Sequence, residues 1–358
     1  METAFQRRDA TFEPSIVDLG HKVKKPARAI SKISTGLAAL IASTTLCLVS
    51  VPVGAAMLAG TPEQVQSSVS RSAKVTALNS ETKKDLTNLP MLTGALAFPK
   101  IRPACITTTQ CVFGDLASKQ SMVLFGDSHA MMWLPAVTPW ATSHHYRLVL
   151  LWNSACPIIE LPHPYVYLGV NSLSQETSVA SCTTFRKQAL GQIKILNPSI
   201  VLLGERTSSI VEGRSLSGTN LFPALDWTNA LIRTLNLLKS PHRKVALIED
   251  IPALNHVQPT CLSQNPNSIQ RCASPFPNTL RSAGGSKLIG QQPSERAATT
   301  KTKTGFISTI SWFCSQKGTR VEPVVNNLVT YYDWSHVSYP YALWLSGVMG
   351  FAISAATT

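Results

Sequence analysis

Residues 121–130 read SMVLFGDSHA, in which a short apolar run leads directly into a Gly-Asp-Ser-His turn. The run has the length of a buried strand, and the residues from His129 onward are typical of a helix, so Ser128 is predicted at a strand-to-helix turn. Gly126 can take the backbone angles that such a turn needs. A serine at this position projects its hydroxyl above the carboxyl edge of a parallel sheet, beside the unpaired N–H groups of a helix N-terminus.

A second motif, Asp333-Trp334-Ser335-His336, lies near the end of the sequence. A serine hydroxyl becomes a good nucleophile only when a base removes its proton, and an imidazole base needs a partner that fixes its tautomer. Asp333 and His336 are close enough in sequence to share one loop or helical turn and to act as a pair. The two motifs together predict a catalytic triad of Ser128, His336 and Asp333 for acyl chemistry.

Other interpretations of these motifs stay open. Asp127 or Ser128 could cap the following helix, while Asp333 and His336 could be a capping carboxylate and a surface imidazole. Hydrolytic metal sites use the same types of ligand, which are present at Asp127, His129, His144, His145, Asp333 and His336. However, the adjacent His144 and His145 point to different sides of any regular element. The triad is therefore the preferred interpretation, with no metal and no other cofactor expected.

Four ordered stretches resemble a known family: FGDSHA at 125–130, SACP at 154–157, DIP at 250–252 followed by PTCL at 259–262, and YDWSHVS at 332–338. They are similar to the SGNH (GDSL-like) hydrolase superfamily and, more narrowly, to the extracytoplasmic SGNH domain that follows the membrane domain in acyltransferase-3 O-acetyltransferases. The similarity extends from about Pro103 to the C-terminus. The resemblance implies a three-layer α/β/α, flavodoxin-like fold with a parallel sheet. It also implies that Ser128 is the nucleophile, His336 the base and Asp333 its orienting acid.

One block departs from the family pattern. SGNH enzymes have a Gly-x-Asn-Asp block after the third strand, whose asparagine helps to complete the oxyanion hole. Here the corresponding block reads GERT at 204–207, with Arg206 at the asparagine position. Arg206 could stabilise an oxyanion by charge, bind an acidic substrate or pair with Glu205. The backbone near Ser154 and the Asp127 beside the nucleophile complete the set of candidate oxyanion or substrate residues.

Apolar runs of strand length alternate with helical patterns along the chain. Strands are predicted at residues 147–152, 200–203, 244–248 and 328–331, and helices at 181–196 and 224–238. This alternation is typical of βαβ crossovers and a parallel sheet, with the active site at the carboxyl ends of the strands. Pro135 and Pro139 predict a short or kinked helix after Ser128. Residues 278–304, rich in Gly, Ser, Gln and Thr, are interpreted as a loop or insertion that could still include a helix.

Residues 35–60 form an uncharged, mostly apolar stretch that is long enough to cross a bilayer as one helix. Basic residues precede this stretch, whereas Glu63 is the single charged residue at 61–70. The positive-inside rule then predicts a single-pass plasma-membrane protein with a cytoplasmic N-terminus and an extracytoplasmic catalytic domain. A cleaved signal peptide is the alternative. The predicted division is a basic cytoplasmic tail at 1–34, a transmembrane helix at 35–60, a stalk or linker at 61–98 and the SGNH domain at 99–358.

The cysteines indicate the same, oxidising side of the membrane. Their spacing allows three disulfides, Cys105–Cys111, Cys156–Cys182 and Cys261–Cys272. Cys314 would then stay alone, as a buried thiol or as a link between chains. None of the spacings forms a convincing paired C-x-x-C motif, so a structural zinc site is not expected.

The composition excludes two broad classes of protein. The net charge is +13, but outside the juxtamembrane cluster the basic residues are scattered and are not interleaved with aromatic residues, which argues against a nucleic-acid-binding role. A hydrophobic fraction of 44% with a charged fraction of only 14% argues against a long disordered chain. A modest basic surface suits acidic lipid headgroups or anionic envelope glycans.

These features predict a membrane-anchored extracytoplasmic serine O-acyltransferase that modifies a cell-envelope glycan through an acyl-enzyme. Acetyl is the acyl group that the resemblance implies. A separate multi-span membrane acyltransferase would have to supply it, because only one span is predicted here. If water is the acceptor, the same site is that of a carbohydrate or lipid acyl esterase. A glycan-binding SGNH-like domain without catalysis is the third alternative.

Overall fold

The computed structural model describes residues 59–92, 104–154, 156–160, 175–207, 224–276, 280–281, 287–288, 292–315 and 318–358. The predicted cytoplasmic tail at 1–34, nearly all of the predicted transmembrane helix at 35–60 and the last residues of the predicted stalk lie outside these ranges. Among the described residues, no helix combines the length and the apolar character that crossing a membrane requires.

The elements alternate as the sequence predicted. In the described residues the helices are α1 Pro62–Ser72, α2 Ser80–Leu92, α3 Ser128–Met131, α4 Leu134–Ser143, α5 Gln175–Leu196, α6 Ala224–Leu238, α7 Gln258–Gln264, α8 Gln292–Thr302, α9 Tyr339–Trp344 and α10 Ser346–Ala356, with 3₁₀ turns at Ile269–Cys272 and Ile310–Trp312. The strands are β1 Ala104–Cys105, β2 Val112–Gly114, β3 Ser121–Gly126, β4 Arg147–Asn153, β5 Ile200–Gly204, β6 Lys244–Ile248, β7 Ser274–Pro275, β8 Leu280–Arg281, β9 Lys287–Leu288, β10 Gly305–Ile307, β11 Cys314–Ser315, β12 Arg320–Val321, β13 Val324–Val325 and β14 Leu328–Val329.

The central sheet is mostly parallel. Strands β4, β3, β5, β6 and β10 lie side by side in that order and run parallel to one another, while β1 and β2 pair antiparallel with β4. The chain passes from β3 to its neighbour β4 and then returns to β5 on the other side of β3. This reversal makes the carboxyl end of β3 a topological switch point, the place where open α/β sheets bind their ligands. Ser128 begins the helix that follows this end of β3.

Strand β3 is buried on both faces because helices cover the sheet from both sides. Met122 and Leu124 belong to a core that includes residues of α4, α9 and α10, whereas Val123 and Phe125 belong to a core with α5 and α6. Successive residues of a strand face opposite sides of the sheet, so one continuous apolar run can serve both cores. The predicted α/β fold is therefore confirmed.

Close packing, rather than an unusual backbone angle, explains the glycine before the Asp-Ser pair. Gly126 pairs with Gly204 across β3 and β5, and a Cβ atom on Gly126 would lie 1.7 Å from the Gly204 carbonyl oxygen. The described glycines with positive φ are Gly114 and Gly318, so the backbone-angle explanation for Gly126 was wrong. The missing side chain lets the turn that carries Ser128 lie directly against the end of the neighbouring strand.

The helix after Ser128 is interrupted, as its prolines predicted. The four-residue helix α3 ends at Met131, and α4 then begins with Pro135 in its first turn and carries Pro139 inside it. Proline at the first turn costs no hydrogen bond, because the N–H groups there have no intrahelical partner.

Other segments differ from the expected elements. The strand expected at 328–331 is the shorter β14, which pairs with β13 in a separate hairpin and does not join the central sheet. The edge strand of the central sheet is β10, whose three residues are too few to give a periodic signal. Helix α8 lies within residues 278–304, the range interpreted as a loop or insertion that could still include a helix. Its buried face contains small or polar side chains such as Ser294, Thr299 and Thr302, so the sequence shows no clear amphipathic pattern there.

The described part of the predicted stalk is packed against the domain. Thr61 caps α1 through a capping box with Gln64, and Val65 and Val69 are fully buried in the same core as Leu124. The Ala59 N–H donates to the Trp344 carbonyl at 2.9 Å. Polar residues hide the amphipathic pattern of α1, since only two apolar side chains make its buried face. The described structure therefore includes residues of the predicted stalk, from Thr61 onward, in the hydrophobic core.

We expect Val69→Ala to destabilise the domain by about 2 kcal/mol, because it removes two buried methyl groups and leaves a small cavity. Denaturant unfolding followed by circular dichroism measures this change. Val75→Ala is the matched control, because Val75 is 37% exposed and its truncation should cost less than about 0.5 kcal/mol. Equal stability of the wild type and Val69→Ala would show that α1 does not belong to the folded domain.

The three predicted disulfides are present. Cys105 bonds to Cys111, Cys156 to Cys182 and Cys261 to Cys272. Cys314 is the free cysteine among the described residues, and it is buried. Burial, together with the charges of Glu322 and Glu249, raises the pKa of its thiol to about 12, which makes it a poor nucleophile.

Candidate active site

Ser128, His336 and Asp333 lie together at the carboxyl end of β3. The Ser128 Oγ is 2.9 Å from His336 Nε2, and His336 Nδ1 is 2.7 Å from Asp333 Oδ2. Both distances are those of good hydrogen bonds. With Nδ1–H donating to the carboxylate, Nε2 is left as an acceptor for the serine hydroxyl proton. The structure thus brings the three predicted residues together in the order that nucleophilic acyl chemistry requires.

The loop that carries Asp333 also fixes its carboxylate. Its Oδ1 accepts hydrogen bonds from the backbone N–H groups of Ser335 at 2.7 Å and His336 at 2.8 Å. Burial raises the pKa of Asp333, but the hydrogen bond and charge of His336 and the two backbone donors outweigh burial and lower this pKa to about 2. The carboxylate is therefore ionised at neutral pH and can hold the imidazole in one tautomer.

This lowered pKa predicts a pH-dependent contribution to stability. Because the Asp333 pKa falls from 3.8 in its unperturbed state to about 2 in the folded protein, its stabilising effect is present above pH 3.8 and is lost as the pH falls through 2. We expect the difference in unfolding free energy between the wild type and Asp333→Asn to shrink as the pH falls below about 4. Urea unfolding at pH 5, 4 and 3 measures it. A difference that stays constant would contradict the predicted shift.

Asp127 caps α3 and holds the neighbouring block. Its Oδ1 accepts from the His129 N–H at 2.7 Å and its Oδ2 from the Arg206 N–H at 3.0 Å. The side chain is buried, and burial raises its pKa despite the nearby His129 and the two backbone donors. Both carboxylate oxygens thus bind backbone N–H groups and hold the Ser128 turn against residues 204–207, while the assignment of Asp127 as an oxyanion or substrate residue stays a prediction.

A second His–Asp pair lies beneath the triad. The buried His129 Nδ1 is 2.6 Å from Asp250 Oδ1, and the His129 and His336 rings have centroids 4.9 Å apart. Asp250 Oδ2 accepts from the Thr207 N–H at 2.8 Å and from the Thr207 hydroxyl at 2.9 Å. The pair therefore ties the helix after the nucleophile to the ends of β5 and β6.

Two more buried carboxyls extend this network. Glu205 Oε2 accepts from the Ile158 N–H at 2.9 Å, and the Glu295 carboxyl accepts from the Asp250 N–H at 3.3 Å. Burial raises the pKa of both groups well above its usual range. The charges of Asp127 and Asp250 raise the pKa of Glu205 further, and those of Asp250 and Glu249 raise the pKa of Glu295 further. Burial thus favours the neutral carboxyl at both positions, where each fixes a loop next to the site.

The other two predicted site residues, Arg206 and Ser154, lie outside the hydrogen-bonded triad. The Arg206 guanidinium is 4.0 Å from the centroid of the Trp334 ring, on the loop that carries Asp333 and His336. This cation–π contact, with Glu205 bound to Ile158, replaces the Glu205–Arg206 ion pair considered from sequence. Ser154 lies exposed in the turn after β4, and no hydrogen bond within the described residues joins it to the triad.

Sequence reasoning did not assign a role to His129 or Asp250. The sequence predicted only that a helix begins near His129, and it included Asp250 only as part of the DIP stretch. Both lie inside stretches that resemble the family, which was the available signal. Within the described part of the chain, no group of three or more His, Cys, Asp or Glu side chains is arranged to hold a metal ion.

Comparison with known proteins gives one match at the level of a family. The family described as SGNH domains fused to AT3 domains matches residues 99–350. No curated protein matches the chain.

Solved structures with similar folds are distant in sequence. The periplasmic domain of the lipopolysaccharide acetyltransferase of Salmonella ser. Paratyphi A is 18% identical, with 79% of this chain and 99% of that chain covered at a TM-score of 0.47. A GDSL-like lipase of Bacteroides thetaiotaomicron VPI-5482 is 12% identical, covering 77% and 96% at a TM-score of 0.37. A carbohydrate acetylesterase of Sinorhizobium meliloti is 13% identical, covering 66% and 99% at 0.36.

The family match covers most of the chain, including both motifs and the loops that carry His129 and Asp250. The chain therefore belongs to the family of SGNH domains that occur fused to AT3 domains, and it is an SGNH-type enzyme, a serine acyltransferase or esterase.

Proposed function

We propose that the protein is an extracytoplasmic serine O-acyltransferase that moves an acyl group, in the first instance acetyl, onto a hydroxyl of a cell-envelope glycan. The observation that carries this proposal is the hydrogen-bonded line from Ser128 Oγ through His336 to Asp333. Family membership supports transfer in particular, because the related domains are described as fused to AT3 domains.

The first half of the reaction forms an acyl-enzyme. Ser128 Oγ attacks the carbonyl carbon of the donor while His336 Nε2 accepts the hydroxyl proton, and the carbonyl electron pair moves onto oxygen. The tetrahedral intermediate then expels the leaving group, which takes the proton back from His336. Asp333 keeps the imidazole in the required tautomer and stabilises it while it is charged.

The second half transfers the acyl group. An acceptor hydroxyl gives its proton to His336 and attacks the ester of Ser128, and the Ser128 oxygen leaves with the proton that His336 returns. If the acceptor is a sugar, the product is an O-acylated glycan, and if it is water, the reaction is hydrolysis. The side chains of His336 and Asp333 are each 26% exposed, so water can approach, and this favours an esterase as the second candidate.

Two groups are candidates for stabilising the oxyanion. The Ser128 N–H has no acceptor among the described residues and lies at the start of α3, where negative charge is favoured. Arg206 is the second candidate, because its guanidinium lies over the ring of Trp334, on the loop that carries Asp333 and His336. The role of Ser154 or its neighbouring backbone remains a proposal from the sequence alone.

Acceptor-dependent product formation tests the proposal. The full chain in mild detergent is incubated with p-nitrophenyl acetate, with and without envelope oligosaccharides, and the sugars are analysed by mass spectrometry. Acetylated sugar that requires Ser128 would support the transferase. Ser128-dependent hydrolysis that no acceptor changes would favour the esterase, and absence of Ser128-dependent turnover would favour a glycan-binding domain.

We further propose that the apolar stretch at 35–60 anchors the domain in the plasma membrane up to Ala59, which packs in the folded domain, and that a multi-span membrane acyltransferase supplies the acyl group. Family membership supports this, because AT3 domains are the fusion partners of related domains. Purification of the full chain in mild detergent should retain a multi-span membrane protein. Full transferase activity of the purified chain without such a partner would contradict the donor part of the proposal.

A further inference from the structure

A cavity of about 680 Å³ lies along the open edge of the sheet, outside the candidate active site. It is bounded by the edge strand β10 and by helix α10, and its walls include Phe306, Trp312, Val348, Phe351 and Ala355. Phe351 is 56% exposed although it is a large apolar side chain. A cavity of this size and lining is typical of a small-molecule site and not of a packing defect.

Basic side chains line this cavity where β6 and β10 begin. Lys239, Arg243, Lys244 and Lys303 line it, and no aspartate or glutamate is among the described residues that do so. Arg296 lies 4.5 Å from the ring centroid of Phe306, one of the wall residues, and adds a further cation. The lining thus combines a cationic end with an apolar wall.

The contacts of these cations leave most of their charge uncompensated. Lys239 Nζ donates to the Thr302 carbonyl at 2.6 Å, and Arg243 donates to the Pro198 and Leu238 carbonyls and to the Asn197 side chain. These acceptors are neutral oxygens, which orient a cation without cancelling its charge. Lys244 contacts the terminal Thr358, so the inference does not depend on it.

The chain enters the domain next to the same cavity. Pro62 of α1 is one of its lining residues. Just before it, Ala59 is buried against α10, where a Cβ atom on Gly347 would lie 2.3 Å from the Ala59 carbonyl oxygen. The apolar stretch that we propose as the membrane anchor runs up to these residues without a spacer.

We propose that this cavity binds an anionic phospholipid of the bilayer in which the chain is anchored. The cationic end binds the headgroup phosphate, and an acyl chain lies along the wall formed by Phe306, Val348 and Phe351. The proposal rests on the membrane anchor put forward above. Each basic residue near an anionic lipid surface contributes about fivefold in affinity.

Titration with short-chain lipids tests the proposal. The full chain in a non-ionic detergent is titrated with dioctanoyl phosphatidylglycerol and dioctanoyl phosphatidylcholine, with binding followed by thermophoresis. We expect phosphatidylglycerol to bind at least about tenfold more tightly, and the double variant Lys239→Gln/Lys303→Gln to lose roughly thirtyfold of that affinity. The matched control is Lys187→Gln/Lys194→Gln on α5, which removes the same charge elsewhere and should change affinity less than about twofold.

A cavity-filling variant and a titration with inorganic phosphate separate a lipid site from a charged surface and from a phosphate site. Ala355→Trp fills the cavity without changing charge and should also weaken phosphatidylglycerol binding, whereas a purely electrostatic surface would not respond to it. Equal binding of the two lipids, or equal loss in the control variant, would overturn the proposal. Inorganic phosphate that binds as tightly as phosphatidylglycerol would show a phosphate site and overturn the lipid assignment.

Hydrolysis of p-nitrophenyl acetate, measured on the same samples, keeps this proposal separate from the acyl-transfer proposal. The lining residues lie outside the triad, so the variants should keep wild-type turnover. Absence of turnover in the wild type with intact lipid binding would refute the acyl chemistry alone. Intact turnover with no preference for anionic lipid would refute the lipid site alone.

Discussion

Ser128→Ala should lose at least about 10³-fold in kcat on p-nitrophenyl acetate, because the acyl-enzyme cannot form without the hydroxyl and the remaining site offers only binding and oxyanion contacts. The Ser128 Oγ is the atom that faces His336 Nε2 at 2.9 Å. The half-buried position of Ser128 at the start of α3 tolerates alanine, so the variant should fold as the wild type does. The loss is therefore expected in kcat and not in the amount of folded protein.

Ser70→Ala is the matched control for this substitution. Ser70 is exposed on α1, outside every residue assigned to the site, and the variant should keep activity within about twofold. Mass spectrometry after a short incubation adds a second measurement, since an acetyl group should be trapped on the peptide that carries Ser128. Turnover of Ser128→Ala within tenfold of wild type would contradict the proposed nucleophile.

The parts that could be predicted from the sequence depend on short-range signals. The apolar run before Gly126 and the strands around 200–203 and 244–248 are buried on both faces, so their continuous hydrophobicity identifies them directly. Ser128 and His336 lie far apart in the sequence. Ser128 follows the central strand β3, His336 lies on a loop late in the chain, and folding brings this loop to the carboxyl end of β3. A family resemblance over both motifs was enough to pair them.

The parts that could not be predicted depend on long-range packing. Helix α1 is held by two buried valines, and its other residues are polar, so its sequence alone looks like a linker. The buried pair of His129 and Asp250 could not be predicted either, because the two side chains form their hydrogen bond only after the chain has folded. A lone histidine or aspartate gives no signal of a partner so distant in the sequence.

The GERT block shows why the departure from the family pattern was hard to interpret. From sequence, Glu205 and Arg206 look like a local ion pair, yet Glu205 binds the Ile158 N–H and Arg206 stacks on Trp334. The two side chains have different partners because the Asp127 carboxylate accepts a hydrogen bond from the Arg206 N–H. This bond holds the backbone of the block against the turn that carries Ser128. Only the surrounding loops supply this information.

Asp333→Asn should lower kcat by about 10⁴-fold with little change in KM, the loss known for the equivalent change in a serine protease triad. The asparagine oxygen can still accept from the Ser335 and His336 N–H groups, so the loop should keep its shape. Its NH₂ group then faces His336 Nδ1 as a donor and favours the tautomer with the proton on Nε2. That tautomer cannot accept the proton of Ser128.

Asp115→Asn is the matched control for the Asp333 variant. Asp115 Oδ2 also lies close to a histidine, 2.9 Å from His145 Nδ1, but this surface pair lies where β4 begins, at the opposite end of the strands from Ser128. The same chemical change there should leave kcat within about twofold of wild type. If Asp333→Asn loses less than tenfold, His336 is oriented by another group, and the nearby hydroxyl of Ser335, 3.3 Å from Nδ1, is the first to test. A full loss in Asp333→Asn with none in Asp115→Asn would establish that tautomer control at His336, and not the general removal of a His–Asp pair, sets the rate.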